Sequence, residues 1–187
     1  SIRKDSCDES GYTVNRLRKL EKTVFKYRDT DIYDERLYVI RDPDSDGNRY
    51  YQEPDDHDLK NEKKVNDFVE AHIEEWQRQG IIPDSEIQSG YKTDEPLRER
   101  GWKYWHQLFS ARQLLTLALM QMGIITNAQT DNELIYGLLC LHRCCDWNSK
   151  LCRWGVGQAR ESMAQTFYNQ AFNTMWNYGN RGLSLLK

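Results

Sequence analysis

The stretch around Ser110 constrains the fold more than any other part of this chain, because it contains two independent signals for a helix start. Ser110 and Gln113 have the spacing of a capping box, in which each side chain pairs with a backbone N–H that the first turn leaves free. Phe109 and Leu114 have the spacing of a hydrophobic staple. Apolar residues then follow on most sides of the helix: Leu114, Leu115, Leu117, Ala118, Leu119 and Met122. We predict a buried helix that ends at Gly123.

Two further helices are predicted downstream. Thr130 and Glu133 repeat the capping-box spacing. Apolar residues define a second buried helix after this cap: Leu134, Ile135, Leu138, Leu139, Leu141 and Cys145. After two glycines, Gln158–Trp176 is predicted as a third helix with one apolar face: Met163, Phe167, Ala171, Phe172, Met175 and Trp176. Three helices with short connections pack as a bundle, so the second half is predicted to be a helical bundle.

The first half contains a predicted β-hairpin and one predicted helix. Leu37–Ile40 and Arg49–Gln52 are rich in strand-favouring residues and are joined by an acidic turn, which predicts a hairpin over about residues 37–52. An acidic loop is predicted next, containing Asp55, Asp56 and Asp58. Residues 65–79 have an apolar helical face and end at Gly80, which indicates a helix. The predicted fold class is α+β.

A change in charge separates the two halves. Residues 1–100 contain 18 Lys or Arg against 25 Asp or Glu, whereas residues 101–187 contain 8 against 4 and five of the six tryptophans. The polar segment Asp84–Arg100 is the predicted linker. We therefore predict an acidic α+β region over residues 1–95 and the helical bundle region over residues 96–187.

The composition also predicts the cellular compartment. Four of the five cysteines lie within Cys140–Cys152, and no export signal precedes them, so we expect reduced thiols in a cytoplasmic protein. No apolar run approaches the ~18 residues that a membrane helix needs, and we expect no membrane partner.

The segment Asp42–Glu53 matches the D-x-D-x-D-G-x5-E spacing of a calcium-binding EF-hand loop. Its candidate calcium ligands are Asp42, Asp44, Asp46, Asn48 and Glu53. Arg49 occupies a position that is usually aliphatic, and the flanks have the pattern of strands rather than helices. Because Asp-Gly also favours an ordinary hairpin turn, we prefer that interpretation over a calcium site.

A zinc site is the second metal alternative. Cys140 and Cys144 are one helical turn apart, and His142, Cys145 and Cys152 are close in sequence. Zinc ligands usually lie on tight knuckles rather than on a leucine-rich helix, so we interpret these thiols as small core residues.

Three ordered segments resemble one protein family. Trp105–Leu114 (W-x-x-L-F-S-x-R-Q-L) is similar to the W-x-x-L-F-T-P-R-Q-L signature of a large family of adenine-specific DNA methylases that contain a zinc ribbon. Asp146–Trp154 resembles the D-R-x-S-x-L-C-R-W segment of that family, and Thr166–Tyr178 resembles its T-F-x-R-Q-A-x-x-M-V-W-D-Y segment. Ala111 replaces the proline of the family pattern, and Asn177 replaces its usual aspartate.

The resemblance, which covers about residues 101–178, implies a non-catalytic part of a DNA-modifying enzyme. Methylases of this kind carry an Asn/Asp-Pro-Pro-Tyr tetrapeptide and a glycine-rich loop for S-adenosylmethionine, and neither is found in this sequence. The implied parent uses S-adenosylmethionine, acts on DNA and works in restriction–modification or phage defence. This region would support the catalytic fold or the DNA, with the rest of the methylase chain as its partner. The alternatives are a calcium-stabilised module and a helical protein–protein interaction module.

The basic, tryptophan-rich second half suggests which residues could contact DNA. The candidates are Lys103, Arg112, Lys150, Arg153, Arg160, Trp102 and Trp105. Such residues would give weak phosphate contacts that depend on salt, with tryptophan stacking on unpaired bases. The structural alternative is that the tryptophans are core residues and that Arg112 pairs with a carboxylate such as Asp146.

Overall fold

The computed structural model describes residues 17–43, 49–157, 160–168, 171–172 and 174–179. The helices among these residues are α1 (Asp56–Arg78), α2 (Asp94–Arg100), α3 (Ala111–Asn127) and α4 (Asp131–Asp146), with a 3-10 turn at Trp105–Leu108. The strands are β1 (Ile40–Pro43), β2 (Arg49–Gln52), β3 (Trp154–Gly157), β4 (Arg160–Met163), β5 (Phe167–Tyr168) and β6 (Ala171–Phe172). They pair as antiparallel hairpins β1–β2, β3–β4 and β5–β6. The predicted α+β class is confirmed.

The first hairpin is present, but its first strand lies later than predicted. Ile40 is the first residue of β1 and pairs with Gln52, so Leu37–Tyr38–Val39 precedes the strand instead of forming it. A side-chain contact also connects the two strands. The Asp42 carboxylate on β1 accepts a 3.1 Å hydrogen bond from the side-chain amide of Gln52 on β2.

Helix α1 begins well before its predicted start at Val65, and the predicted acidic loop is wrong. The Asp55 carboxylate accepts a 2.8 Å hydrogen bond from the backbone N–H of Asp58, and the Asp58 carboxylate accepts one of 3.1 Å from the N–H of Asp55. This reciprocal pairing is a capping box, so the aspartates begin a helix. Gly80, with a φ of 72°, follows the end of the helix as predicted.

The predicted start of α3 is confirmed. The Ser110 hydroxyl accepts a hydrogen bond from the backbone N–H of Gln113 (3.3 Å), and the side-chain oxygen of Gln113 accepts one from the backbone N–H of Ser110 (2.9 Å). The predicted end is wrong, because the helix continues through Gly123 to Asn127. A glycine within a helix costs only about 1 kcal/mol, which the packing of neighbouring apolar residues can offset.

Helix α4 begins as predicted but is much less buried. The Thr130 hydroxyl accepts from the N–H of Glu133 (3.2 Å), which forms the cap. Leu141 is the one residue of this helix that is fully buried, whereas Ile135 and Leu139 are exposed. The prediction of a buried helix is wrong because α4 packs on α3 through one side and leaves the other uncovered.

The predicted third helix over Gln158–Trp176 is also wrong. The described residues of this segment include no helix, and they contain strands β4, β5 and β6. Thr166 is buried, and its N–H and hydroxyl both donate to the carbonyl oxygen of Asp146 at 2.7 and 2.9 Å. These tertiary hydrogen bonds replace the local i to i−4 bonds that a helix would need.

Two apolar clusters form the core, and each contains residues from before and after residue 95. The α1–α3 cluster consists of Phe25, Val69, Ile73, Trp76, Ile82, Ala111, Leu114 and Ala118. The Trp102 cluster consists of Leu20, Tyr27, Trp102, Leu108 and Leu151.

Within the described residues, no helix has the length and apolar character to cross a membrane.

Gly101 connects α2 to the Trp102 cluster through a close backbone approach. Its φ is 76°, and a Cβ at this position would lie 2.2 Å from the carbonyl oxygen of Arg18. Its own carbonyl oxygen accepts a 2.8 Å hydrogen bond from the N–H of Leu20. The position therefore requires glycine for two separate reasons, the left-handed conformation and the space.

We predict that Gly101→Ala lowers the free energy of unfolding by more than about 2 kcal/mol, because a backbone clash adds to the left-handed strain. Gly80→Ala is the matched control, since Gly80 has a φ of 72° but no atom within 4 Å of its added Cβ. It should lose only about 1 kcal/mol. Urea denaturation of both variants measures the difference, and equal losses would contradict the role of the close approach.

Candidate functional site

The three segments that resemble the methylase family meet in space. The backbone N–H of Lys150 in the second segment donates to the carbonyl oxygen of Leu108 in the first (2.8 Å). The N–H of Tyr178 in the third segment donates to the carbonyl oxygen of Lys150 (3.0 Å). The backbone of one residue, Lys150, thus connects the first and third segments through the second. We call this region the three-segment junction.

The Gln113 side chain joins the first segment to the second and to the residue that follows the third. The residue is buried, and its side-chain oxygen caps α3. Its side-chain nitrogen donates to the side-chain oxygen of Asn148 (3.2 Å) and to the backbone carbonyl oxygen of Gly179 (3.0 Å). A neutral amide can do this because it offers both donors and acceptors without the desolvation cost of a charge.

A second buried glutamine connects the junction to the N-terminal part of the chain. The Gln107 oxygen accepts from the backbone N–H groups of Lys103 (2.7 Å) and Tyr104 (3.0 Å). Its nitrogen donates to the carbonyl oxygens of Glu21 (2.9 Å) and Val24 (2.8 Å). Sequence reasoning missed this residue, because a glutamine in a 3-10 turn carries no local signal of four backbone partners.

Short polar side chains fix the second segment to the third. The Ser149 and Thr166 hydroxyls are 2.7 Å apart, and the Cys152 sulfur is 3.3 Å from the Thr166 hydroxyl. The Asp146 carboxylate accepts from the N–H of Phe167 (2.9 Å). Ser149, Cys152 and Thr166 are all buried, so these contacts hold the chain and leave no accessible nucleophile there.

Asn177, which differs from the pattern that its segment resembles, makes a contact between the second and third segments. Its side-chain nitrogen donates a 2.7 Å hydrogen bond to the carbonyl oxygen of Cys152. An ionised aspartate, which is usual at this position in the family, has no donor for that contact. The asparagine therefore adds another direct bond between the second and third segments.

Two cations on either side of a pair of aromatic rings lie at the centre of the junction, and we call this group the stack. The ammonium of Lys150 lies 4.7 Å from the ring centroid of Trp102, whose ring packs edge-on against Trp176 at 5.6 Å. The guanidinium of Arg100 lies 4.2 Å from the Trp176 centroid. Lys150 is 1% exposed, and its ammonium pairs with Glu35 at 2.9 Å. Burial makes the attraction of each cation to the ring faces stronger than it is at an exposed site.

Two tyrosine hydroxyls extend this stack. The Arg100 side chain donates to the Tyr178 hydroxyl (2.7 Å), and the hydroxyls of Tyr178 and Tyr33 are 3.1 Å apart. Burial raises the pKa of Tyr178 well above its ordinary value, because the phenolate would lose its hydration. The hydroxyl therefore stays protonated and serves as a hydrogen-bonding group.

The cationic DNA-contact candidates lie in different environments. Arg112 pairs with Glu62 (2.7 Å) instead of Asp146, and Lys103 pairs with Glu86 (2.8 Å). Arg153 lies over the ring of Tyr168, 4.2 Å from its centroid. Lys150 is buried as described above, and Arg160 is the first residue of β4. The four of these cations whose side chains the structure describes thus have different partners, and one of them, Lys150, is not accessible.

The aromatic candidates are parts of the packing. Trp102 is 0% exposed, and Trp105 is partly buried and packs edge-on against Phe172 with 6.1 Å between ring centroids. Trp102 therefore has no free face on which a base could stack. Sequence reasoning missed Glu35 and Arg100, the partners that hold this stack, because they are distant from it along the chain.

The structure describes only some of the candidate calcium ligands. Asp44, Asp46 and Asn48 lie outside the described residues, while Asp42 and Glu53 lie on strand β1 and just after strand β2. Two strands, rather than two helices, therefore flank the candidate calcium loop. The cysteines of the zinc alternative differ in environment, with Cys140 exposed and Cys152 buried.

One group of three possible metal ligands does occur among the described residues. It consists of Asp55, His57 and Asp58 at the start of α1. The two carboxylates already form the capping box of that helix, which explains their proximity.

Comparison with known protein families, with curated proteins and with solved structures gives no match in any of the three.

The ion pair between Lys150 and Glu35 gives a stability prediction. Lys150→Met removes the ammonium from both Glu35 and the Trp102 ring, and we expect a loss of about 3 kcal/mol in unfolding free energy. The double variant Lys150→Met/Glu35→Gln should recover part of this loss, because no unpaired carboxylate remains. Lys103→Met, which breaks the exposed pair with Glu86, is the control and should cost less than about 1 kcal/mol. A similar loss in both single variants would contradict the importance of burial.

His106 gives a prediction about pH. The residue is fully buried, and burial lowers its pKa to about 4, because the imidazolium would lose its hydration. The unfolded chain has a histidine pKa of about 6.5, so between about pH 6.5 and about pH 4 the unfolded state binds more protons. The free energy of unfolding should therefore fall by up to roughly 1.4 kcal/mol per unit as the pH drops through this window.

Denaturation of the wild type and His106→Gln at about pH 7.5 and about pH 5 isolates this contribution. The wild type should lose more stability than the variant between the two values. His57→Gln, at an exposed position of α1, is the control and should follow the wild type. A constant difference between wild type and His106→Gln would show that His106 binds no extra proton on unfolding.

Proposed function

We propose that this chain is a non-catalytic scaffold region of an adenine-specific DNA methylase. One observation supports the proposal most directly: the three segments that resemble the family, which are separated in sequence, meet in the three-segment junction. A shared structural role of the motif residues would require these segments to be in contact, and they are. In this proposal the motif residues hold the fold, and catalysis with S-adenosylmethionine occurs elsewhere in the methylase polypeptide.

Burial favours a supporting role over direct DNA contact at the centre of the junction. A phosphate contact requires an accessible cation, and base stacking requires an accessible ring face. Lys150 and Trp102 are each at most 1% exposed and already contact each other. These two residues therefore contribute to function by fixing the positions of the segments around them.

The edge of the junction offers a limited DNA-contacting surface. Arg153 is partly exposed and lies over Tyr168, whose ring is itself exposed. The Arg153 guanidinium also donates to the Gln165 side chain at 3.1 Å. An arginine held on an aromatic ring can contact a phosphate, so weak and sequence-independent DNA binding at this edge is compatible with the scaffold role.

The scaffold proposal can be tested in the methylase polypeptide that it implies. Transfer of labelled methyl groups from S-adenosylmethionine to adenine-containing DNA would be measured for wild type, Trp102→Ala and Lys63→Ala. Trp102→Ala should unfold this region and abolish methyl transfer, whereas Lys63→Ala, on the exposed face of α1, should retain it. Methyl transfer that persists with this region unfolded would overturn the proposal, as would a polypeptide with no methyl transfer to adenine.

DNA binding by the chain itself gives a separate prediction. In fluorescence-anisotropy titrations at low salt, we expect weak binding that decreases steeply as salt is added. Arg153→Ala should weaken this binding, whereas Lys150→Met, measured at a temperature at which the variant is folded, should leave it unchanged because residue 150 is buried. Binding that depends on Lys150 but not on Arg153 would place the DNA surface elsewhere than at the junction edge.

A further inference from the structure

Arg100 is a partly exposed arginine whose guanidinium pairs with no carboxylate of the described residues. Its Nε donates to the Tyr178 hydroxyl (2.7 Å), and its Nη1 donates to the backbone carbonyl oxygen of Glu99 (2.8 Å). The Nη2 atom has no hydrogen-bond partner among the described residues, and it does not belong to the fully buried nitrogen atoms that lack one. The neighbouring Arg98, by contrast, pairs with the Glu99 carboxylate at 3.0 Å. Arg100 therefore keeps the N–H groups of Nη2 available to a ligand.

Two aromatic rings hold this guanidinium in place. Its central carbon lies over the ring of Tyr33, 4.6 Å from the centroid, and over the ring of Trp176, 4.2 Å from the centroid. Arginine stacks on aromatic faces because its planar charge is only weakly hydrated. The two hydrogen bonds and two ring contacts of Arg100 set the orientation of Nη2 before a ligand arrives, which lowers the entropy cost of binding.

The Tyr33 hydroxyl supplies a second donor beside Arg100. The Tyr178 oxygen accepts from Arg100, so the Tyr178 proton is donated to the Tyr33 oxygen, 3.1 Å away. The proton of Tyr33 then has no acceptor among the described residues. Because this chain of hydrogen bonds begins at a cation, each hydroxyl is polarised and the last proton becomes a stronger donor.

The charge around these two donors is positive. Glu35 and Glu99 supply carboxylates to this region, but Glu35 pairs with the ammonium of Lys150 at 2.9 Å and Glu99 pairs with Arg98. These pairs leave the charge of Arg100 uncompensated. Two donors beside one uncompensated positive charge favour a ligand that has several acceptor oxygens and a negative charge.

We propose that Nη2 of Arg100 and the hydroxyl of Tyr33 bind a phosphate group. A carboxylate pairs best with two N–H groups on one edge of a guanidinium, and Nε and Nη1 of Arg100 are already occupied. The oxygen atoms of a phosphate point in tetrahedral directions, so they can accept from the single nitrogen and from the hydroxyl together. The phosphate is either free or part of a nucleic-acid backbone, since both offer the same oxygens. This inference does not depend on the proposed methylase function.

NMR of the arginine side chains in the 187-residue chain tests the proposal. The Nε–H resonance of Arg100, identified by its loss in Arg100→Lys, is followed while inorganic phosphate is added at constant ionic strength. It should shift and saturate in the millimolar range. Parallel titrations use dimethyl phosphate, which represents a phosphodiester, and acetate, which represents a carboxylate. Saturation with dimethyl phosphate would identify a nucleic-acid backbone as a ligand, whereas saturation with inorganic phosphate alone would identify free phosphate or a monoester.

Tyr33→Phe retains the ring and removes the second donor, so it should weaken phosphate binding about tenfold. Tyr38→Phe is the matched control, because Tyr38 is 72% exposed in the same segment, and it should bind phosphate like the wild type. Thermal melts followed by circular dichroism verify that both variants are folded. The proposal is overturned if neither phosphate gives a saturable shift, if acetate binds as tightly as phosphate, or if the two variants have equal affinity.

Discussion

The buried ammonium of Lys150 is the constraint on which the rest of this structure depends. A charge removed from water must find compensating partners, and here they are the Glu35 carboxylate at 2.9 Å and the face of Trp102 at 4.7 Å. Glu35 belongs to the N-terminal part of the chain and Trp102 to the segment before α3. The need to satisfy one side chain therefore fixes the relative positions of distant parts of the sequence, while the backbone of the same residue bonds to Leu108 and Tyr178.

Buried neutral amides supplement this charged centre. Gln107 and Gln113 each combine an oxygen that accepts from backbone N–H groups with a nitrogen that donates to oxygen atoms elsewhere in the chain. Each bond contributes only about 1 kcal/mol, but leaving a buried partner unsatisfied costs more. These amides therefore favour one arrangement of the loops over the alternatives that apolar packing alone would allow.

The predictions that the structure confirms rest on local sequence signals. The starts of α3 and α4 were predictable because a capping side chain and its backbone partner are three residues apart. The strands after Gly157 were not predictable in this way. Thr166 bonds to the backbone of Asp146, and an apolar helical period in the sequence cannot show that such a distant bond replaces the bonds of a helix. The exposure of Ile135 was missed because α4 is apolar on more than one side, and the sequence does not show which side packs on α3.

The candidate site was predictable in its segments but not in its contacts. The motifs around Ser110, Asp146 and Tyr178 do converge, yet nothing in the sequence pairs Lys150 with Glu35, 115 residues away. Lysines and tryptophans in a basic region suggest an accessible surface, and only the three-dimensional environment shows that Lys150 and Trp102 are internal. Lysine and tryptophan side chains can bind a ligand when they are exposed, whereas the same side chains stabilise the fold when they are buried.

The hydroxyl contact between Tyr33 and Tyr178 has a consequence for the order of events during protein synthesis. The two residues are 145 positions apart, so this contact cannot form until residue 178 has left the ribosome. Helices α1 and α3 can associate earlier, but the ring of Trp102 lacks its neighbour Trp176 until then. This region must therefore remain incompletely closed until its last segment has been synthesised, and such non-local closure is intrinsically slow and exposes apolar surface to chaperones.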